Sequence, residues 1–133
     1  MMNIGINGLG RIGRLVIRDF FGGTIRKFDT PNSNIIHVND PHFNTETLCH
    51  LLKHDSVHGI WDASIKTLGN DRITINGNEL RLTNFINPSD VNWRQSHCNA
   101  VLDCTGKFLS KEKLQGYFDN NIQKVVVSAP INT

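Results

Sequence analysis

Ile4-Gly5-Ile6-Asn7-Gly8-Leu9-Gly10-Arg11-Ile12-Gly13-Arg14 joins two different periodicities through a run of closely spaced glycines. Ahead of Gly8, the short segment Asn3 to Asn7 holds Ile4 and Ile6 and reads as a strand. From Arg11 the spacing changes. Ile12, Leu15, Val16 and Phe20 fall at i, i+3, i+4 and i+8, the pattern of one helix face. Gly22-Gly23 is expected to end that helix. Asp19 falls inside the apolar stripe and conflicts with it locally.

Working outward, Thr24 to Asn34 carries Pro31, Asn32 and Ser33 and reads as loop. Ile35 to Val38 is a second strand, and Asn44 and Thr45 are helix caps ahead of Leu48, Leu51 and Leu52. From Trp61 to about Leu82 the period becomes two. Asn76-Gly77, between Ile73-Thr74-Ile75 and Leu80-Arg81-Leu82, signals a hairpin. Ala100-Val101-Leu102 has the apolar run of a strand buried on both faces. Ser110 caps a helix carrying Leu114 and Tyr117-Phe118. Lys124 to Ser128 reads as another buried strand, ended by Pro130. Such alternation predicts an α/β fold, a doubly wound, mostly parallel sheet with helices on its faces. A small antiparallel insert between Trp61 and about Trp93 is expected to lie to one side.

The 133 residues suit one domain. A chain of that size buries roughly 68% of its unfolded surface. An apolar content of 38% belongs with globular rather than disordered chains. A formal net charge of +2 is no signature of nucleic acid or membrane binding. No apolar run reaches the roughly 18 residues of a membrane span, and Met1-Met2-Asn3-Ile4-Gly5 lacks the pattern of a secretory signal. Cys49, Cys98 and Cys104 form no C-x-x-C, so neither a disulfide framework nor a zinc site is suggested. A reduced, cytoplasmic setting is the expectation.

Gly8-Leu9-Gly10-Arg11-Ile12-Gly13 matches G-x-G-x-x-G, between a strand and a helix as the chemistry requires. Gly8 permits the tight turn, Gly10 lets a pyrophosphate approach the backbone, and Gly13 lets helix and strand pack closely. The helix start adds N–H groups and positive dipole. Asp40 follows the second strand, where a carboxylate accepts from adenosine ribose hydroxyls and repels a 2′-phosphate; NAD is therefore the expected cofactor. It lies 27 residues past Gly13, against roughly 20 in the usual motif, and the loop before it absorbs the difference. As an alternative, Asp40 simply starts a turn with Pro41. Cys104-Thr105-Gly106 and Ser128-Ala129-Pro130 each follow a strand, so both loops are expected at the same cleft.

These stretches together resemble glyceraldehyde-3-phosphate dehydrogenase. Ile4 to Arg14 resembles its opening, and Leu51-Leu52-Lys53-His54-Asp55-Ser56-Val57-His58-Gly59 resembles a second signature, with His54 where tyrosine is usual. Asn39-Asp40-Pro41, Cys104-Thr105-Gly106-Lys107-Phe108 and Val127-Ser128-Ala129-Pro130 match in order. The resemblance implies a Rossmann-type NAD-binding domain over residues 1–133. It implies backbone N–H groups of Arg11 and Ile12 on the pyrophosphate and Asp40 on the ribose. Thr105, Gly106 and Phe108 would wall the adenine, with Ser128 near the nicotinamide. Ile86 stands where an arginine beside the adenine is common, which leaves only a main-chain contact there. The family's nucleophilic cysteine run, its histidine base, its substrate half and its C-terminal helix do not occur in this sequence. The expected partners are therefore NAD and either the remaining half of an enzyme, tetrameric when intact, or a second copy. No nucleic acid or membrane partner is expected. The cofactor half of an erythrose-4-phosphate dehydrogenase and a non-catalytic NAD-binding or interaction module are the alternatives.

The remaining chemistry-bearing residues have bland readings. Cys104 is expected to pack rather than to react, since no histidine is placed beside it by the sequence. Cys49 is expected in the core, and Cys98 in a loop. His50, His54 and His58 recur at i, i+4 and i+8, but the second signature puts His58 past the helix, against a metal site. Arg11, Arg14 and Arg18 share a helix face, read as solvated or as a subunit contact.

Overall fold

The structure, a computed structural model, describes residues 2–22 and 33–129. Strand β1 (Met2–Asn7) leads into α1 (Arg11–Phe21), and β2 (Ser33–Asn39) into α2 (Thr45–Lys53). A short ribbon follows, β3 (His54–Asp55) with β4 (Gly59–Ile60). Then come β5 (Ile65–Thr67), β6 (Arg72–Ile75), β7 (Asn78–Thr83), a 3-10 turn at Pro88–Asp90, β8 (Ala100–Asp103), α3 (Lys111–Asp119) and β9 (Lys124–Val127). Seven strands form one sheet in the order β5-β6-β7-β2-β1-β8-β9. Pairings from β7 across to β9 are parallel, and β5-β6-β7 are antiparallel. This is the expected doubly wound architecture. The insert lies to one side, but as an extension of the main sheet, because β7 pairs directly with β2. Its turn holds Asn76 at φ 49° and Gly77 at φ 84°, the left-handed pair of a tight hairpin.

Helices α1 and α2 cover one face, where Ile17, Leu48 and Leu52 pack with Ile6, Ile35 and Val38. The other face carries Trp93, Val101, Leu114 and Tyr117. That second core needs Gly5, since a Cβ there would stand 2.5 Å from a carbon of the Trp93 ring. Asn44 and Ser110 cap α2 and α3, accepting from the N–H groups of Thr47 and Lys113. Thr45 is the first helical residue rather than the cap.

The sequence reading needs correction at several points. Ile12 is 55% exposed, while Gly13 and Ile17 are buried. The close contact of Gly13 with the Gly8 carbonyl sets the rotation of α1. Asp19 then faces solvent, and the local conflict disappears. Ser33 and Asn34 pair with Met2 and Asn3, so β2 begins before the expected loop ends. Gly23, the rest of that loop and Pro130 lie outside the described residues. Tyr117 is buried, but Phe118 is 43% exposed. Strand β9 is covered on one face only: Val125 and Val127 pack against the second core, and Val126 is 60% exposed. Among the described residues no element lies over that second face of β9.

One row of the sheet is polar. Thr83 pairs with Asn39, Asn39 with Asn7, and Asn7 with Asp103. Their side chains form a hydrogen-bonded chain with a single direction. The Thr83 hydroxyl donates to Asn39 Oδ1 at 2.8 Å, Asn39 Nδ2 to Asn7 Oδ1 at 2.9 Å, and Asn7 Nδ2 to the Tyr117 oxygen at 2.8 Å. The Tyr117 hydroxyl donates to Asp103 Oδ2 at 2.5 Å. Upstream, His37 Nε2 lies 2.9 Å from the Thr83 oxygen and Nδ1 lies 2.7 Å from Ser96 Oγ. Because the single Thr83 hydrogen goes to Asn39, His37 donates from Nε2 and accepts at Nδ1. Each donor thus passes its polarisation toward the Asp103 carboxylate.

His37 must be neutral to play that part. Burial, and then the Arg81 charge, lower its pKa from 6.5 to about 3. The unfolded chain therefore binds a proton at His37 that the folded chain refuses, and stability falls as pH drops from about 6.5 toward 3. The loss from this group approaches about 1.4 kcal/mol per pH unit inside that window. Denaturant midpoints measured across that window are expected to show the slope, reduced by about one proton in His37→Asn.

Candidate functional site

The glycine turn occupies the point where strand order reverses, with β2 on one side of β1 and β8 on the other. In open α/β sheets, ligands sit at such a crevice, beyond the carboxyl ends of the strands. Gly8 has φ 97° and donates its N–H to the Asn39 carbonyl at 2.8 Å. A Cβ on Gly8 would stand 2.7 Å from the backbone of Cys104 and Thr105. A Cβ on Gly13 would stand 2.1 Å from the Gly8 carbonyl oxygen. Gly10 differs, because a Cβ there would meet nothing within 4 Å. The first two glycines are needed for packing, and the third leaves open space beside the helix start.

That helix start suits an anion. Gly10 is the N-cap of α1 with no side-chain capping bond, and the first turn holds no acidic residue. The first-turn N–H groups, those of Arg11 and Ile12 included, have no intrahelical carbonyl to meet. Backbone donors, open space and the dipole together fit a pyrophosphate.

Asp40 is only 7% exposed. Its Oδ2 accepts from the Leu9 N–H at 2.8 Å, and its Oδ1 from the His42 N–H at 2.8 Å. The carboxylate therefore ties the glycine turn to the end of β2. Each oxygen accepts two hydrogen bonds, so capacity for ribose hydroxyls remains. The His42 bond closes the turn with Pro41 that the sequence offered as the alternative for Asp40, whereas the tie to Leu9 was not legible there.

Gly8, Gly10, Asp40, Thr105 and Phe108 line one cleft, together with Asn7, Pro41, His42, Ile86, Cys104 and Lys107. Gly106, at φ 69°, sits between Thr105 and Lys107 in the chain without itself lining the cleft. Arg11, Ile12 and Gly13 open the helix beside Gly10 without lining the cleft. Ser128 lies a strand further away, at the end of β9, where its N–H donates to the Asp103 carbonyl at 3.0 Å. It does not line the cleft with the others. His42 and Lys107 were not singled out from the sequence. Nor were Asn7, Thr83 and Asp103, although a polar residue at the end of each of these strands was a readable signal.

Cys104 packs, as expected. Burial and the Asp103 charge push its thiol pKa up, against a lowering hydrogen bond with Ser128. Cys98 lies in the loop ahead of β8, as read, and its side chain is buried there, its thiol pushed up to about 12 by burial. Cys49 is partly buried against the first core. His58 lies past α2, as read. Among the described residues, no group of three His, Cys, Asp or Glu side chains converges as a metal site would. The arginines of α1 find partners within the chain. Arg14 donates to the Leu9 carbonyl at 3.1 Å, Arg18 to that of Gly59 at 3.2 Å, and Arg11 lies 3.7 Å from Asp55. Asp55 itself is held well below the usual carboxylate range by the N–H groups of His58 and Val57.

A parallel sheet with a glycine turn at its reversal point, and an acid at the end of the neighbouring strand, defines a Rossmann-type dinucleotide-binding domain. The model of one family, the glyceraldehyde 3-phosphate dehydrogenase NAD binding domain, matches residues 2–111. The chain belongs to that family, and NAD is the cofactor of its domain. Glyceraldehyde-3-phosphate dehydrogenase 3 of Nostoc sp. is 37% identical over 130 residues, covering 98% of this chain and 36% of that protein. The Phytophthora infestans enzyme is 37% identical over 129 residues, 97% of this chain and 36% of its own length. Glyceraldehyde-3-phosphate dehydrogenase 1 of Giardia intestinalis is 32% identical over 129 residues, with the same coverage of 97% and 36%. The chain thus spans little more than a third of these curated relatives.

The glycines separate packing from binding experimentally. Gly13→Ala is expected to destabilise the fold by roughly 1–3 kcal/mol or more, because its Cβ meets backbone. Gly10→Ala is expected to keep its melting temperature within a few degrees and to lose NAD binding. Thermal melts and NAD titrations on both variants check this; normal binding by Gly10→Ala would place the phosphates elsewhere.

Proposed function

We propose that this chain is the NAD-binding half of a phosphorylating glyceraldehyde-3-phosphate dehydrogenase. The intact enzyme would oxidise glyceraldehyde 3-phosphate with NAD and inorganic phosphate. The observation that carries the reading is the open space at Gly10, beside an uncapped helix start and a carboxylate held at the end of β2. When bound, NAD supplies a hydride acceptor; the residues of this chain bind and orient it. The N–H groups of Arg11 and Ile12, beyond Gly8, Gly10 and Gly13, take the pyrophosphate. Asp40 takes the adenosine ribose and opposes a 2′-phosphate. Thr105, Gly106 and Phe108 wall the adenine, and Ile86 faces it with an apolar side chain, 73% exposed. Ser128 serves the nicotinamide end, consistent with its distance from the adenosine cleft.

The reading extends to the assembly. Residues 1–133 form one cofactor domain, and the nucleophilic cysteine, histidine base and substrate site belong to a catalytic half outside it. The cleft thiol is Cys104, which burial keeps protonated, so this chain alone is not expected to turn over aldehyde. The exposed Val126 on β9 supports a partner on that face, either the rest of the enzyme or another copy. A cytoplasmic homotetramer is the assembly proposed for the intact enzyme.

Calorimetric titration with NAD, with NADP as control, tests the reading. Binding of NAD, with NADP weaker by about tenfold or more, is expected; tenfold corresponds to about 1.4 kcal/mol. Equal affinity would remove Asp40 from its role. No binding of either by the folded chain would favour the non-catalytic interaction module. Aldehyde-dependent NADH formation by the purified chain would overturn the division of labour.

A further inference from the structure

The two walls of the adenosine cleft are held by different strands. On one side, Asn39 fixes the turn that carries Ile86: its Oδ1 accepts from the Phe85 N–H at 3.0 Å, and its Nδ2 donates to the Phe85 carbonyl at 2.9 Å. On the other side, Asp103 Oδ1 accepts from the Thr105 N–H at 3.0 Å and from the Thr105 hydroxyl at 2.7 Å. Thr105 Oγ1 accepts in turn from the Lys107 N–H at 3.1 Å, which orders the segment leading to Phe108. Asn7 bonds Asn39 directly through its side chain; toward Asp103 the Cys104 N–H donates to the Asn7 carbonyl at 2.7 Å, while the side-chain link runs through the hydroxyl of Tyr117. Tyr117 comes from α3, is fully buried and does not line the cleft. Packing against Trp93 and Val127 would be met equally by phenylalanine. The hydroxyl is therefore a buried polar group whose role lies in the bonds it makes.

We propose that Tyr117 is a positioning residue for the cofactor: its hydroxyl joins Asn7 to Asp103 and so holds the Thr105–Phe108 wall at the separation that the adenosine end requires. This rests on the NAD reading above, and it places a determinant of affinity on a helix that never meets the ligand. Removing the hydroxyl leaves Asn7 Nδ2 without its acceptor and Asp103 with donors from Thr105 alone. The wall then loosens while the glycine turn, pinned by Asp40, stays in place.

Amide hydrogen exchange on the ligand-free full chain tests this in Tyr117→Phe, alongside AMP and NAD titrations well below the melting temperature. Exchange at Thr105 and Lys107 is expected to accelerate about tenfold, while the Leu9 amide, held by Asp40, is unchanged. The dissociation constants of AMP and NAD are expected to rise about tenfold together. A purely structural role would lower the melting temperature and leave the affinity of the folded variant alone. If Tyr117→Phe does not fold, Asn7→Ala cuts the same chain from its other side, with Thr105 and Phe85 as the reporting amides. Unchanged exchange at Thr105 in a folded variant overturns the proposal, whatever NAD does. Failure of the unaltered chain to bind AMP or NAD overturns the cofactor reading instead, and the exchange result still judges the wall.

Discussion

Side by side across the sheet, Thr83, Asn39, Asn7 and Asp103 end their strands with polar side chains, joined by hydrogen bonds that all run one way. The chain ends at a carboxylate with no exposure to water. Burying such a group is costly unless hydrogen bonds meet it, and here Tyr117 and Thr105 donate to it. Asn7 of this row lines the cleft itself, and the loops around the cleft begin one residue beyond the row. Gly8 follows Asn7, Asp40 follows Asn39, Asn84 follows Thr83 and Cys104 follows Asp103. The polar row therefore acts as the sill from which the binding loops leave the sheet.

Two kinds of constraint meet above that sill. Gly8 and Gly13 are required because backbone occupies the space a side chain would take. Gly10 differs, since a Cβ there would meet nothing within 4 Å, and the space it leaves open is the place proposed for a phosphate. Asp40 belongs to both sets, pinning Leu9 while keeping acceptor capacity for a ligand. A site built in this way is preorganised by the same bonds that stabilise the domain.

Much of this was legible in the residues. Alternating periodicities around Gly8 to Gly13 exposed the strand, turn and helix, and Asn76-Gly77 exposed the hairpin. Asp40, Thr105 and Phe108 were singled out before their cleft was seen, and the structure brings them together. The misreadings share a cause. Ile12 and Phe118 fit an apolar stripe by spacing, but each helix turns on its tightest contact, at Gly13 against Gly8 and at Gly116 against Ser89. The valines of β9 fit a buried strand, but a run of three says nothing about which faces are covered. The link from Asn7 through Tyr117 to Asp103 was invisible, because its members stand up to 110 residues apart.

By itself the sequence determined the order of elements, the glycine turn, the acid at the end of β2 and the resemblance that names the family. Those properties are local or motif-borne, set by spacing, backbone freedom and residue chemistry within a few positions. Tertiary structure alone decided which strands became neighbours, and hence that Thr83, Asn39, Asn7 and Asp103 form one hydrogen-bonded row. It also decided that β7 joins the main sheet and that Tyr117, not Phe118, faces inward. These outcomes depend on register and on close packing between distant segments, and no periodicity within one segment encodes the partner it will meet.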